Sequence, residues 1–264
     1  MISTSKVYLK GYTLVELAVV LIIIGLLLGG LFVPLTAQTD YKAFSETNTT
    51  LEEAKSSLLG YAIANGRLPC PATATSNGLE DTVGVGTGVC TAKIGTEFAV
   101  GYLPAATLGV SPIDKQGFGV DGWGREARNR IRYAVSTKTI NGITNPFTTT
   151  SGMKNATISF MASTTPLLVV CSAAPTGTVC GGSQLSNSVV FVVYSVGKNS
   201  ATGGAGNEAA NPNPNSADSD SNGVPDADDG IFVSREQEST FDDVLQWVSS
   251  SSLISRMVNA GQLP

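Results

Sequence analysis

From residue 14 to residue 33 the chain is apolar except for one charge, Glu16. A helix needs about 20 such residues to span a bilayer, so this run fits one crossing. Lys6 and Lys10 precede it with no acid between them, which by the positive-inside rule leaves the N-terminus in the cytoplasm. A cleaved secretory signal would have a shorter apolar core followed by small residues, and residues 33–39 offer a poor cleavage site. A plain signal anchor is the other simple reading, but it gains nothing from Glu16. A carboxylate inside an apolar run costs about 2–4 kcal/mol, so an acid kept there needs a partner or a task.

Composition removes several chemistries. There is no histidine among the 264 residues, which excludes Ser-His-Asp and Cys-His catalysis, His-ligated zinc and histidine pH switching. Ser-Lys, carboxylate-pair and tyrosine chemistry remain open, yet no Ser-Lys pair, phosphate loop or dinucleotide fingerprint is present. The chain reads as a non-enzyme. Charged residues make up only 14% and the net charge is −5, which argues against general attraction to nucleic acid or anionic lipid.

The four cysteines, Cys70, Cys90, Cys171 and Cys180, are even in number, widely spaced and free of CxxC. They read as two disulfides in an oxidising compartment. Three connectivities are possible; the most local, Cys70–Cys90 with Cys171–Cys180, is favoured.

Lys10-Gly11-Tyr12-Thr13-Leu14-Val15-Glu16 resembles the class III signal of type IV prepilins and type II secretion pseudopilins. The resemblance implies cleavage by a prepilin peptidase after Gly11 and N-methylation of Tyr12, where the family usually has Phe. It implies that Glu16 serves filament assembly by pairing with the amino terminus of a neighbouring subunit. Such pairing would neutralise two charges in an apolar core, and a paired buried charge costs far less than an isolated one. Removing the leader also removes Lys6 and Lys10, which makes the mature chain more acidic. The implied partners are other pilin or pseudopilin subunits, the peptidase and an inner-membrane assembly platform. The implied location is a single pass through the inner membrane with a periplasmic head, followed by a pseudopilus or surface pilus.

The expected fold is α+β and pilin-like. Residues 1–11 form the leader, 12–35 the transmembrane half of a long N-terminal helix and 36–66 its amphipathic half. Residues 67–264 form a head with an antiparallel β-sheet, loop insertions and short C-terminal helices. Phe44, Leu51, Ala54, Leu58, Tyr61 and Ala62 recur at helical steps, and Gly66 supplies the stop. Gly25, Gly29, Gly30 and Pro34 would loosen or bend the first half. Strands are expected over 131–135, 156–161, 167–171 and 189–196, from runs of Val, Ile, Phe and Tyr bounded by turn residues. A helix is expected from Ser239 through Phe241, Val244, Leu245 and Val248, with Asp242 as its capping acid. A second short stripe follows at Leu253, Ile254, Met257 and Val258.

The sharpest chemical motif is the acidic loop 218–229. Asp218, Asp220, Asn222, Val224 (through its carbonyl), Asp226 and Asp229 stand at EF-hand-like spacing, with Gly223 at the tight position. Ca²⁺ takes six to eight oxygens, and alternate residues of a compact loop point them inward. Major pseudopilins carry a calcium site after a similar Ser-x-Gly turn; here Ser195-Val196-Gly197 precedes the loop. Asp121-Gly122-Trp123-Gly124 is similar to their Asp-x-Trp-Gly segment. Arg125, Arg128, Arg130 and Arg132 form a basic cluster, read as a solvated face rather than a DNA site. Trp123 and Trp247 read as core. The function implied is a structural filament subunit, a pseudopilin or minor pilin, its head stabilised by calcium and disulfides. The other readings are a membrane-anchored periplasmic binding module or enzyme, and a tip adhesin or DNA-binding minor pilin.

Overall fold

The computed structural model describes residues 11–94, 98–156, 167–175, 180–200, 206–211, 230–238 and 240–263; the side chains of 28–37 and of Ile94 are left out of the description. The chain divides into two compact units, Met1–Lys42 and Ala43–Pro264. Helix α1 runs over Leu14–Asn65. Within the second unit Leu51, Ala54, Leu58 and Ala62 lie three and four residues apart and are fully buried. One apolar stripe facing a core is what holds a helix of this composition. Gly66, at φ +67°, closes α1 by donating its N–H to the Ala62 carbonyl.

Among the described residues seven strands form one mixed sheet: β1 Lys93–Ile94, β2 Phe98–Tyr102, β3 Arg132–Ser136, β4 Leu168–Cys171, β5 Gln184–Ser195, β6 Ile231–Val233 and β7 Val244–Ser249. Their order is β1-β2-β3-β5-β4-β6, with β7 paired to β5. β4 and β6 are parallel and the other pairs antiparallel. Short helices α2 Ala105–Leu108, α3 Gly152–Ala156 and α4 Ser250–Asn259 complete the second unit. The main core gathers Leu51, Leu58 and Ala62 of α1, Tyr133 and Val135 of β3, Val193 of β5, and Leu253 and Met257 of α4. The opposite face of the sheet buries Phe98, Ala134, Val192, Tyr194 and Phe232.

The pilin-like expectation is corrected on three points. Among the described residues no helix is long and apolar enough to cross a membrane. The half-transmembrane helix, and with it the single-pass inner-membrane location, is therefore not supported. The sheet is mixed rather than antiparallel, because β6 returns beside β4 in the same direction. The first expected C-terminal helix is strand β7. Val244 and Val248 face one core while Leu245 and Trp247 face the other. A strand buried on both faces loses its period-2 signature and reads like a helix.

The remaining strand expectations divide. β3, β4 and β5 appear where the Val- and Ile-rich runs place them. Of 156–161, Ala156 ends α3 and the rest lies outside the described residues. The serine run 249–252 starts a helix: Ser249 Oγ accepts the Ser252 N–H at 3.3 Å as the N-cap of α4.

Candidate functional site

Three turns distant in sequence meet at one end of β5. Asp121, in the turn before β3, accepts hydrogen bonds from the Trp123 N–H at 3.0 Å and from Ser195 Oγ at 2.6 Å. Ser195 ends β5 and accepts the Gly197 N–H at 3.1 Å. Gly197 turns at φ +65° against Asp242; a Cβ there would fall 2.0 Å from Asp242 Oδ1, so only glycine fits.

Asp242 and its neighbour Asp243, just before β7, stand with Glu208 in a group whose ligand oxygens lie within 4.8 Å of one another. Glu208 belongs to a single 3₁₀ turn, Glu208–Ala210, and is 5% exposed. It accepts the Asp242 N–H at 2.7 Å and Asn199 Nδ2 at 2.5 Å. Asp242 Oδ2 accepts the Lys198 N–H at 3.1 Å. Asn211 donates to Asp243 Oδ2 and accepts the Val233 N–H at 2.8 Å, tying the cluster to β6. Asp242 Oδ1 is buried and has no hydrogen-bond partner.

The electrostatics follow from this crowding. Burial, reinforced by Glu208, pushes the Asp242 carboxyl up to about 6. Burial pushes Asp243 up to about 7, with the Glu208 and Asp242 charges adding to it and the Asn211 hydrogen bond opposing. Asp121 is raised to about 6 by burial, against the hydrogen bonds from Ser195, Trp123 and Asn129. Three converging carboxylates with an orphaned oxygen match the donor chemistry of a hard divalent cation, whose charge would offset their repulsion. The cleft of about 450 Å³ along α1, lined by Ser45, Glu46, Thr49, Glu53, Asp121 and Arg125 among others, does not include Glu208, Asp242 or Asp243.

The sequence-predicted calcium ligands Asp218, Asp220, Asn222, Val224, Asp226 and Asp229 lie outside the described residues. The described acidic cluster uses other residues. Asp242 accepts bonds from the Gly197 turn region and does not cap a helix. Both expected disulfides are present, Cys70–Cys90 and Cys171–Cys180, with Cα atoms 5.2 and 5.5 Å apart.

Gly11, Tyr12 and Glu16 are exposed, Tyr12 at 82%. Thr13 caps α1: its Oγ1 accepts the Glu16 N–H at 3.2 Å. Thr13-x-x-Glu16 is a capping-box spacing that sequence reading passed over. It also gives Glu16 a local benefit, a negative charge on the first helical turn.

The arginine cluster is not one surface. A 3₁₀ turn at Ala127–Asn129 breaks the strand alternation. Arg125 and Arg128 are exposed, and Arg128 pairs with Glu126 at 2.7 Å. Arg130 and Arg132 are buried; Arg130 pairs with Asp114 at 2.7 Å and stacks 3.9 Å over the Phe118 ring. This arrangement counts against a DNA-binding face. Trp123 and Trp247 pack on the two cores.

Comparison with known proteins finds no family model, no curated protein and no solved structure that matches the chain.

Proposed function

We propose that this chain is a structural subunit of a helical filament of the pseudopilus or type IV pilus kind, acting as a pseudopilin or minor pilin. The observation that carries this reading is the described start of α1. Leu14, Val15, Leu17, Leu21, Ile22, Leu26 and Leu27 are 58–87% exposed by position, for example 87% at Leu14 and 62% at Leu27, and no residue from 11 to 27 is buried. A helix apolar on every side must be covered. Parallel copies of the same helix would cover it, and each Glu16 would meet the amino terminus freed next to Gly11 on a neighbour. The exposed Gly11–Tyr12 bond is accessible to prepilin peptidase, and Tyr12 would be the methylated residue.

In the globular unit, Glu208, Asp242 and Asp243 would hold a Ca²⁺ ion, whose charge would stabilise the junction of three turns. The sequence spacing of Asp218 to Asp229 offers a second oxygen set. The Cys171–Cys180 disulfide closes the loop after β4, the strand paired with β6.

N-terminal peptide mass spectrometry on filaments sheared from native cells tests the reading. The expected species begins at N-methylated Tyr12. A chain that still begins at Met1 overturns it.

A further inference from the structure

A bridge between Ile113 and Gly119 closes a tight turn after α2. A cavity of about 680 Å³ is lined by Ile113, Asp114 and Lys115 of this turn and by Arg125, Ala127 and Arg130 of the segment before β3. Its fixed element is Arg130, whose side chain is 6% exposed. The guanidinium carbon lies 3.9 Å from the centre of the Phe118 ring and 5.4 Å from that of Tyr102. Nε donates to Asp114 Oδ2 at 2.7 Å, and Nη2 donates to Gln116 Oε1. Asp114 is itself used up: its Oδ1 accepts the Gln116 N–H at 2.8 Å and the Phe118 N–H at 3.0 Å. These bonds and rings hold the guanidinium in one place, and no described residue takes Nη1, which carries two N–H donors. Lys115 and Arg125 are exposed, and neither forms an ion pair among the described residues. Arg125 Nη1 reaches only the Ile113 carbonyl, at 3.4 Å. The cavity thus gathers three cations against one carboxylate already bonded on both oxygens, on a chain of net charge −5.

We propose that this cavity binds a phosphate monoester, with Arg130 Nη1, Lys115 Nζ and Arg125 on its terminal oxygens and Ile113 and Ala127 against its carbon body. A carboxylate is matched by one guanidinium fork, two parallel N–H groups in one plane. Arg130 has no fork to give, because Nε and Nη2 are engaged; it offers one nitrogen, and the other cations come from separate points of the rim. Separate point contacts suit a tetrahedral group with three terminal oxygens. The pinned guanidinium is organised before the ligand arrives, so little ordering cost falls on binding. The net negative charge argues against general attraction to anions and leaves this local receptor untouched. A soluble ester and a lipid headgroup share this chemistry. The proposal is independent of both the filament and the calcium readings.

The test is equilibrium dialysis of the full chain in nonionic detergent at low salt, with phenyl phosphate as the probe. The wild type should bind it saturably, one per chain, and more weakly as NaCl screens the exposed cations. Lys115→Gln and Arg125→Gln should each weaken binding about tenfold, the size of one charge-assisted hydrogen bond. Both side chains are exposed, so thermal melts of the two variants should match the wild type. Inorganic phosphate should displace the probe about tenfold more effectively than acetate. Monomeric dihexanoylphosphatidic acid separates the two sources: displacement stronger than by unlabelled phenyl phosphate assigns a lipid headgroup, and equal or weaker displacement assigns a soluble ester. No saturable binding of phenyl phosphate overturns the proposal, as does wild-type affinity in the Lys115→Gln, Arg125→Gln double variant. Acetate competing as well as inorganic phosphate overturns the phosphate assignment.

Discussion

The Arg67 guanidinium clasps Glu80 with both terminal nitrogens, Nη1 to Oε2 at 2.9 Å and Nη2 to Oε1 at 2.7 Å. The pair sits just past the end of α1, and the Cys70 N–H and Tyr61 hydroxyl also donate to the Glu80 carboxylate. Burial alone would raise Glu80, but the Arg67 hydrogen bonds and charge and the Cys70 N–H outweigh it and hold the carboxyl below its ordinary value. A depressed carboxyl contributes stability that is complete above its unfolded value and is lost as pH falls through the folded one. Glu80→Gln should therefore cost about 2 kcal/mol at neutral pH, the size of a charge-assisted hydrogen-bonded pair. It should also flatten the acid limb of the stability–pH curve below about pH 4.5. Denaturant titrations across pH on the two proteins measure both effects; parallel curves would show that Glu80 does no more than fill space.

The two disulfides differ in the loop they close, 20 residues for Cys70–Cys90 and 9 for Cys171–Cys180. Chain entropy gives about 3 kcal/mol for the first and about 2.5 kcal/mol for the second. Replacing Cys70 and Cys90 together by Ala should lower the Tm by about 6–12 °C, from about 2–4 °C per kcal/mol in a unit of this size. Cys70 and Cys90 are both buried, so their loss also disturbs the core; the Cys171 and Cys180 pair should be the milder deletion. Calorimetry of the two double variants checks the order, and a larger loss for the shorter loop would refute the entropic ranking.

Local signals carried much of this fold. The Leu51, Ala54, Leu58 and Ala62 stripe specifies the buried face of α1 because a helix repeats every 3.6 residues, and Gly66 marks its end. The Val-rich runs of β3, β4 and β5 are legible for the same reason, and the local cysteine pairing is correct. What failed depends on partners far along the chain. β7 has apolar residues facing two cores, a pattern that only the register Val192 to Trp247 and Tyr194 to Leu245 reveals. The direction of β6 is set by its pairing with β4, which no residue of β6 announces. The acidic cluster was hidden because Glu208 and Asp242 are 34 positions apart and meet only through β6, Asn211 and the Gly197 turn. The Thr13–Glu16 cap, by contrast, stands in plain view as a capping-box spacing.

The acidic cluster sets a second pH dependence, opposite in sign to that of Glu80. Burial raises Asp242 to about 6 and Asp243 to about 7, so the fold favours their protonated forms. Their contribution is most favourable below the unfolded value near 4 and is lost as pH rises from there to about 7. On the reading proposed above, a cation on these oxygens would replace the missing protons. Calcium at one hundred times its Kd should stabilise the chain by about 2.7 kcal/mol at pH 7.5 and by much less at pH 5, where protons compete. Asp242→Asn should remove most of that calcium increment. Thermal melts at the two pH values, with EDTA or CaCl₂, give the comparison; an equal increment at both, or one unchanged in Asp242→Asn, would place the ion elsewhere.

Glu16 has a local place at the start of α1 and, on the reading proposed above, would have a second role in assembly, and two substitutions divide them. Its backbone N–H is capped by Thr13 Oγ1, and its side chain puts a negative charge on the first turn of α1. Thr13→Ala removes the cap and should loosen the helix start by about 1 kcal/mol, visible as faster amide exchange at residues 14–17. Thr13→Ser should restore it. Glu16→Gln keeps a side chain suited to a capping box and deletes the charge. A small local loss of helix stability is therefore expected from Glu16→Gln, with a large loss of sheared filament, because the neighbour's amino terminus would be buried without a counter-charge. The amount of subunit recovered in the sheared fraction, against the amount in whole cells, reads the second effect independently of the first. If Glu16→Gln fills the sheared fraction as the wild type does, the acid serves only its own helix, and charge pairing between subunits drops out of the assembly reading.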